Sequence, residues 1–297
     1  MKKFSSKVIW IILVFSGMSF AIYSVFLGDY GKDSEDDTPW ELQSLDYEKL
    51  HKISKGKSQT IAIIDTGLNS IYSGNLKFEE SLVDEDIEDT NGHGTMMYSI
   101  IKGISENIEG ISPEAQIMAI KVMNDDNSVS PTIIKNAIEL AIQKDASIIN
   151  LSIASHFEDK DITEAIKSAI NKGITVVASS GDYGNTELMY PAILDEVVSV
   201  GAIDASGNVL DLTSGSKATT INAPGHEIST INLKETIIKT SGTSQATAII
   251  SGYIALLKDY AFLKNKKLSN DTIISFLDSI NSQELTYLQA LEKIDSL

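Results

Sequence analysis

Two residue types are missing from this chain of 297 residues: it contains no cysteine, and all 24 of its basic residues are lysine because arginine is absent too. Without cysteine, the chain can form no disulfide bond, thiolate nucleophile or sulfur-ligated metal site. We attribute the missing arginine to an AT-rich genome that favours lysine codons. Zero cysteines are compatible with secretion but do not demonstrate it.

Proline, aromatic residues and positive charge are also scarce. The chain has 5 prolines, 7% aromatic residues and a net charge of −17. A nucleic-acid partner is excluded because binding a phosphate backbone requires a basic face. Hydrophobic residues make up 42% of the chain and charged residues 22%, which is typical of a globular protein. The length suits one large domain or two small ones.

The N-terminus predicts a membrane segment. Residues 1–7 include three lysines, and the apolar run from Val8 to Leu27 has about the 20 residues that a membrane-spanning helix needs. Acidic residues follow this run, so we expect an uncleaved anchor at 1–27, with the rest of the chain outside a bacterial cell. Residues 28–38 are interpreted as an acidic linker. The alternative is a cleaved signal peptide, with a small-x-small site at 19–21, which would release a secreted protein.

From residue 39 onward, short apolar runs alternate with amphipathic stretches. The predicted strands are Thr60–Ile64, Gln116–Val122, Ser147–Ile153, Ile174–Ser179 and Val197–Ile203. They are apolar on both faces, as is typical of strands buried in a parallel sheet. Helices are predicted at Pro131–Lys144, which opens with proline, and at Asp161–Lys172, which stops at a glycine. The pattern predicts one α/β domain over 39–297, a doubly wound, mostly parallel sheet with helices on both faces.

Three short motifs stand out within this pattern. Asp65 ends a predicted strand in IAIIDTG, His93 lies between two glycines in NGHGT, and Ser244 lies in SGTSQAT just before an apolar helix. Each is ordinary alone, because an aspartate can cap a turn, a histidine can lie on the surface and a serine can cap a helix. Together they supply an orienting carboxylate, a general base and a nucleophile.

These motifs resemble those of the subtilisin-like serine proteases, or subtilases, in residue type and chain order. IINLSIAS at 148–155, VVASSGD at 176–182, VVSVGAID at 197–204 and APG at 223–225 are also similar to segments of that family. The resemblance covers residues 39–297. It implies a serine endopeptidase with the catalytic residues Asp65, His93 and Ser244, acting on a protein or peptide substrate and requiring no cofactor or metal for the chemistry.

The resemblance also implies further site residues. The backbone N–H of Ser244 would be one donor of the oxyanion hole, and Asp182 occupies the position of the second. The residues expected to line the substrate groove come from two segments: Ser152, Ile153, Ala154, Ala178, Ser179, Ser180 and Gly181.

This chain departs from the family at several points. Asp182 stands where the family has an asparagine whose N–H stabilises the oxyanion. The loop before Gln116 is short, so the common calcium loop is expected to be missing, and structural calcium is possible but unsupported. Only about a dozen residues lie between the apolar run and residue 39, so no folding propeptide fits there. The domain is therefore expected to fold unaided or with a separate folding partner.

An acidic run precedes His93 and consists of Asp84, Glu85, Asp86, Glu88 and Asp89. It is interpreted first as a solvated loop. Two other readings remain open, a cation site and the recognition of a basic residue in the substrate.

Two rival functions also remain open. Asp-Thr-Gly at 65–67 is the signature of aspartic proteases, but those need two such carboxylates and the chain has no second copy. The other rival is a membrane-tethered pseudoprotease, which would bind peptides without cleaving them, because Asp182 would repel an oxyanion. We expect an active enzyme in which Asp182 turns away or is protonated, with an activity optimum on the acid side of neutrality.

Overall fold

A computed structural model describes residues 24–26, 38–83, 86–105, 108–123 and 129–297. Most of the predicted membrane helix and almost all of the predicted linker lie outside these residues. The strands, in chain order, are β1 Ser24–Phe26, β2 Thr60–Asp65, β3 Phe78–Ser81, β4 Gly103–Ser105, β5 Ile108–Glu109, β6 Gln116–Lys121, β7 Ile148–Leu151, β8 Thr175–Ser179, β9 Val198–Ile203, β10 Ile221–Pro224, β11 Ile228–Ile231 and β12 Ile237–Ser241. The α-helices are α1 Trp40–Leu45, α2 Tyr47–Ile53, α3 His93–Lys102, α4 Pro131–Gln143, α5 Lys160–Asn171, α6 Thr243–Leu263, α7 Asn270–Asn281 and α8 Tyr287–Glu292.

A seven-stranded parallel sheet forms the centre of the molecule. Its strand order is β10-β9-β8-β7-β2-β6-β3, and every neighbouring pair is parallel. The five predicted strands are all present, and β7 is shorter at both ends than predicted. The two edge strands, β3 and β10, were not predicted. The prediction of a mostly parallel α/β sheet is confirmed.

Helices cover both faces of this sheet because successive residues of each strand point to opposite sides. On β2, Ile61 and Ile63 belong to the core beneath α3 and α6, whereas Ala62 and Ile64 belong to the core beneath α4 and α5. Ser130 caps α4 through its side chain and Asp159 caps α5, and each helix begins within one residue of its predicted start.

The helix α6 lies in the middle of the larger core, and most of its residues are buried. Among the described residues, it is the one helix long and apolar enough to cross a membrane. Its burial within the protein accounts for its apolar composition, as is usual for a helix that is hydrophobic all round.

A smaller antiparallel sheet joins β11, β12 and β1. Ser24, Val25 and Phe26 pair with Ser241, Thr240 and Lys239, so β1 takes its hydrogen-bonding partners from β12. These three residues fall within the run predicted to be a membrane helix, and for them the helix prediction is wrong. A strand satisfies its backbone groups by pairing with a neighbour, whereas a membrane helix satisfies them within itself.

Candidate active site

The predicted site residues gather at the carboxyl edge of the parallel sheet. Asp65 is the last residue of β2, Ser152 comes directly after β7, and Ser180 directly after β8. These three strands are neighbours in the order β8-β7-β2. Because parallel strands end at the same edge of a sheet, their following loops line one crevice, which is where α/β proteins place their sites.

The side chains of Asp65 and His93 are hydrogen-bonded to each other. His93 Nδ1 lies 2.6 Å from Asp65 Oδ1, and the two side chains are 9% and 2% exposed. A carboxylate can only accept, so we assign the proton to Nδ1, which leaves Nε2 as the basic nitrogen of a neutral imidazole. The Thr66 N–H also donates to Asp65 Oδ1, at 2.8 Å. The arrangement holds one tautomer of the histidine.

Burial affects the two groups in opposite directions. It raises the pKa of Asp65 well above its usual value, and repulsion from Asp89 adds to this effect, whereas hydrogen bonds from Thr66 oppose it. Burial lowers the pKa of His93 to about 3. A buried site disfavours each charged form. His93 is therefore neutral over the physiological range and available as a base.

The two glycines beside His93 place it at the start of α3. Gly92, in the left-handed conformation with φ 99°, is the N-cap residue of this helix. Gly94 packs against the carbonyl oxygen of Gly67 so closely that a β-carbon could not fit. The glycines that flank His93 thus allow α3 to approach the turn after β2.

Ser244 is the second residue of α6 and is 7% exposed. The first N–H groups of a helix have no partner within the helix and favour negative charge nearby. A negative oxygen that forms next to Ser244 would meet this favourable field. α3 and α6 pack against each other on the same face of the sheet.

Asp182 is tied to the residue that precedes Ser244. Its Oδ1 accepts a hydrogen bond from the Thr243 N–H at 2.8 Å. Its Oδ2 lies close to Gly242, where an added β-carbon would come within 2.9 Å of this oxygen. Burial raises the pKa of Asp182 to about 6, and the hydrogen bonds from Thr243 limit the rise. The Asp182 side chain thus faces the first turn of α6, which carries Ser244.

The residues expected to line a groove differ in their exposure. Ile153, Ala154, Ala178, Ser179 and Ser180 are buried, whereas Ser152 is half-buried and accepts a hydrogen bond from Asn150 Nδ2. Ala178 and Ser179 are the last two residues of β8: Ala178 pairs with both β7 and β9, whereas Ser179 pairs with β9.

Met189 is a residue of this region that the sequence did not indicate. Its N–H donates to the Ser180 carbonyl, and its sulfur packs against Gly181, which adopts φ 101°.

The acidic run before His93 is not uniformly solvated. The interpretation of this run as a solvated loop is wrong for its last residue, Asp89. Asp86 is exposed, and Glu88 accepts a hydrogen bond from the Ser70 N–H. Asp89, in contrast, is only 1% exposed. Asp84 and Glu85 lie outside the described residues. In the part of the chain that the structure describes, no cluster of three or more His, Cys, Asp or Glu side chains is arranged to hold a metal ion.

Comparison with known proteins places this site in context. A family model described as "Subtilase family" matches residues 56–283. The major intracellular serine protease of Bacillus subtilis (strain 168) is 31% identical over 223 residues, which cover 69% of this chain and 70% of that protein. Thermitase of Thermoactinomyces vulgaris is 31% identical, over 72% of this chain and 80% of that protein.

A solved structure shows the same similarity in three dimensions. The prenylagaramide maturation protease PagA superimposes with a TM-score of 0.72 and 25% sequence identity. The alignment covers 84% of this chain and 98% of that one.

Proposed function

Because this chain belongs to the subtilase family and is a subtilisin-like serine endopeptidase, we propose that it hydrolyses peptide bonds with Ser244 as nucleophile, His93 as base and Asp65 as orienting carboxylate. The observation that carries the proposal is the 2.6 Å hydrogen bond between His93 Nδ1 and Asp65 Oδ1 in a buried setting. Subtilases need no cofactor for catalysis. Family membership also removes the aspartic-protease alternative.

In the proposed mechanism, Ser244 Oγ attacks the carbonyl carbon of the peptide bond while His93 Nε2 accepts its proton. His93 then gives this proton to the leaving amine, and the acyl group stays on Ser244. Water attacks this acyl group in the same way, with His93 as base, and releases it. Asp65 accepts a hydrogen bond from the Nδ1 proton of His93, so that Nε2 faces the reaction, and its charge stabilises the transient imidazolium. Because burial disfavours an isolated imidazolium, the nearby carboxylate is needed for His93 to accept a proton.

The proposed oxyanion hole combines the Ser244 N–H with the carboxyl group of Asp182. A carboxylate cannot donate a hydrogen bond, so Asp182 must be protonated when the oxyanion forms. Its Oδ1 accepts from Thr243, which leaves Oδ2 as the atom to carry the proton. The pKa of about 6 makes this protonated form accessible in mildly acidic solution.

We assign substrate contact to the loop after β7, represented by Ser152, Ile153 and Ala154, and to the end of β8, represented by Ala178, Ser179, Ser180 and Gly181. We expect an extended peptide to lie along these two segments, at the carboxyl edge of the sheet. The substrate class is therefore a protein or peptide chain.

The test of the proposed function is digestion of a peptide library by the purified full-length protein at pH 5.5, followed by identification of the products. We expect internal cleavage, and covalent labelling of Ser244 by a fluorophosphonate probe, because an activated serine is acylated or phosphonylated at its Oγ. Peptide binding without either result would favour the pseudoprotease, for which Asp182 is the supporting feature.

We also propose that the enzyme acts outside a bacterial cell, attached to the membrane through residues 8–27. The lysines before this run and the acidic residues after it support this orientation. Residues 24–26 cannot be strand β1 and part of a membrane helix at the same time. A membrane helix that extends to residue 27 would therefore require β1 to separate from β12. Cleavage of the run as a signal peptide would instead give a secreted enzyme.

Treatment of whole cells with an added protease tests this location. We expect digestion of the domain over 39–297 on intact cells, with the protein recovered in the membrane fraction. A cytoplasmic protein serves as the control for intact cells. Full protection of the domain would contradict the external location, and recovery in the medium would identify the secreted form.

A further inference from the structure

The carboxylate of Asp89 receives five hydrogen bonds. Its Oδ1 accepts from the Thr66 hydroxyl and the N–H groups of Asn91 and Gly92, at 2.9, 3.1 and 2.7 Å. Its Oδ2 accepts from the N–H and the hydroxyl of Thr95, at 2.9 and 2.7 Å. Five donors from two segments of the chain therefore converge on the two oxygen atoms of one buried side chain.

These donors belong to the two segments that carry the proposed base and its partner. Thr66 follows Asp65 directly, while Gly92 and Thr95 lie on either side of His93. Asp89 is therefore linked to both members of the Asp65–His93 pair through residues next to them in the chain.

Two threonine hydroxyls extend this linkage across the gap between β2 and α3. Thr66 Oγ1 donates to Asp89 and accepts from the Gly94 N–H at 2.9 Å. Thr95 Oγ1 donates to Asp89 and accepts from the Asn69 N–H at 3.0 Å. Each hydroxyl thus joins its own segment to the opposite one. A hydroxyl has one proton, and each threonine hydroxyl donates this proton to Asp89. Its oxygen lone pairs are therefore directed at the N–H group from which it accepts, that of Gly94 for Thr66 and that of Asn69 for Thr95.

We propose that Asp89 is a positioning residue for catalysis: its carboxylate, through Thr66 and Thr95, clamps the first turn of α3 to the turn after β2 and holds His93 against Asp65. This proposal rests on the proposed function of the Asp65, His93 and Ser244 side chains. The clamp explains how the hydrogen bond of 2.6 Å between His93 and Asp65 is held, although the two residues are 28 positions apart in the chain. Catalysis requires such a fixed geometry, because a displacement of about 1 Å can reduce the rate about 10²-fold.

Asp89→Asn tests the clamp with little change in shape. The amide retains one oxygen, which can accept the three bonds at Oδ1, but its NH2 group cannot accept from Thr95. We expect kcat to fall about tenfold with KM unchanged, since the base acts only in the transition state. Rates are divided by the number of active sites titrated with a fluorophosphonate, so misfolded protein does not contribute. A purely structural role would lower the number of titratable sites and leave kcat per site unchanged.

Asp86→Asn is the matched control because it removes the same charge from an exposed position three residues away, and we expect its kcat to be unchanged. Thr66→Val provides a second variant should Asp89→Asn fail to fold, and we expect a smaller loss of kcat per site. The loss in the double variant should exceed either single loss, because Asp89→Asn removes the bonds from Thr95 whereas Thr66→Val removes the bond from Thr66. An unchanged kcat per site in Asp89→Asn and Thr66→Val would overturn the proposal. A wild type that neither cleaves peptides nor reacts with the probe would instead overturn the proposed function.

Discussion

Replacement of Ser244 by alanine is expected to abolish peptide hydrolysis and probe labelling together. In subtilisin, itself a member of this family, removal of the nucleophilic serine lowers kcat about 2 × 10⁶-fold, and we expect a loss of the same order here. The reason is that, in the proposed mechanism, the Ser244 hydroxyl is the group that forms the acyl intermediate. The measurement is kcat for a cleavable peptide at pH 5.5.

Ser241→Ala serves as the control for this variant. Ser241 ends β12, three residues before Ser244, and its hydroxyl accepts from the Glu227 N–H, so the change removes a nearby serine without removing the proposed nucleophile. We expect Ser241→Ala to keep its activity. Retained activity in Ser244→Ala would exclude Ser244 as the nucleophile.

Replacement of Asp182 by asparagine is expected to raise kcat about 100-fold at pH 8 and to leave it nearly unchanged at pH 5. With a pKa of about 6, roughly one Asp182 side chain in a hundred is protonated at pH 8, whereas most are protonated at pH 5. Asparagine can keep the bond from Thr243 at its oxygen and supply an N–H donor at every pH. In subtilisin the loss of the corresponding donor costs about 10²–10³ in kcat, so the ionised form is expected to contribute little.

The acid side of the same profile depends on His93. Burial lowers the pKa of His93 to about 3, so this base remains neutral well below the pKa of Asp182. The wild type should therefore be most active on the acid side of neutrality, where Asp182 is protonated and His93 is neutral. Protonation of Asp65, whose pKa burial also raises, should end activity at lower pH. In the asparagine variant the alkaline decline should disappear, with little change in KM. A variant no faster than the wild type at any pH would place Asp182 outside the oxyanion hole.

The stability of the same Asp182→Asn variant tests the raised pKa of Asp182 without a measurement of activity. The folded pKa of Asp182 lies above its unfolded value of 3.8, so the native state binds more protons between about pH 4 and pH 6. Stability must therefore fall as pH rises through this window and stay lower above it. The difference between the folded and unfolded pKa of Asp182 corresponds to about 3 kcal/mol of stability. Asparagine should recover up to this amount at pH 8 and nothing at pH 3.5, as measured by urea unfolding.

Much of the fold could be predicted from local pattern. β2 and β6 each contain four consecutive apolar residues, and α4 and α5 carry strong start signals at Ser130 and Asp159, so their positions follow from short-range chemistry. The edge strands β3 and β10 escaped prediction, since an edge strand is covered less completely and β3 has two glutamates at its centre. The membrane helix prediction failed for residues 24–26 because strand pairing depends on a partner more than 200 residues away.

The candidate site divides in the same way. Its chemical identity is local: Asp65, His93 and Ser244 lie in short motifs whose residue types and chain order resemble one family. The pH behaviour of Asp182 is not local, because its raised pKa results from burial against a loop 61 residues away. Met189 likewise meets Gly181 only once the chain has folded.

Asp89 illustrates the difference most clearly. In the sequence it is the last of five acids in a six-residue stretch, and such a run indicates a solvated loop. In the structure it is buried, because Thr66 from one segment and Gly92 and Thr95 from another bring donors to it from two sides. The sequence alone determined the family, the parallel sheet and the three residues of the proposed triad, since these depend on residue type and local spacing. Only the tertiary structure decided which carboxylates are buried, what they accept and how their charges respond to pH, since burial and hydrogen bonding depend on segments that are far apart in the chain.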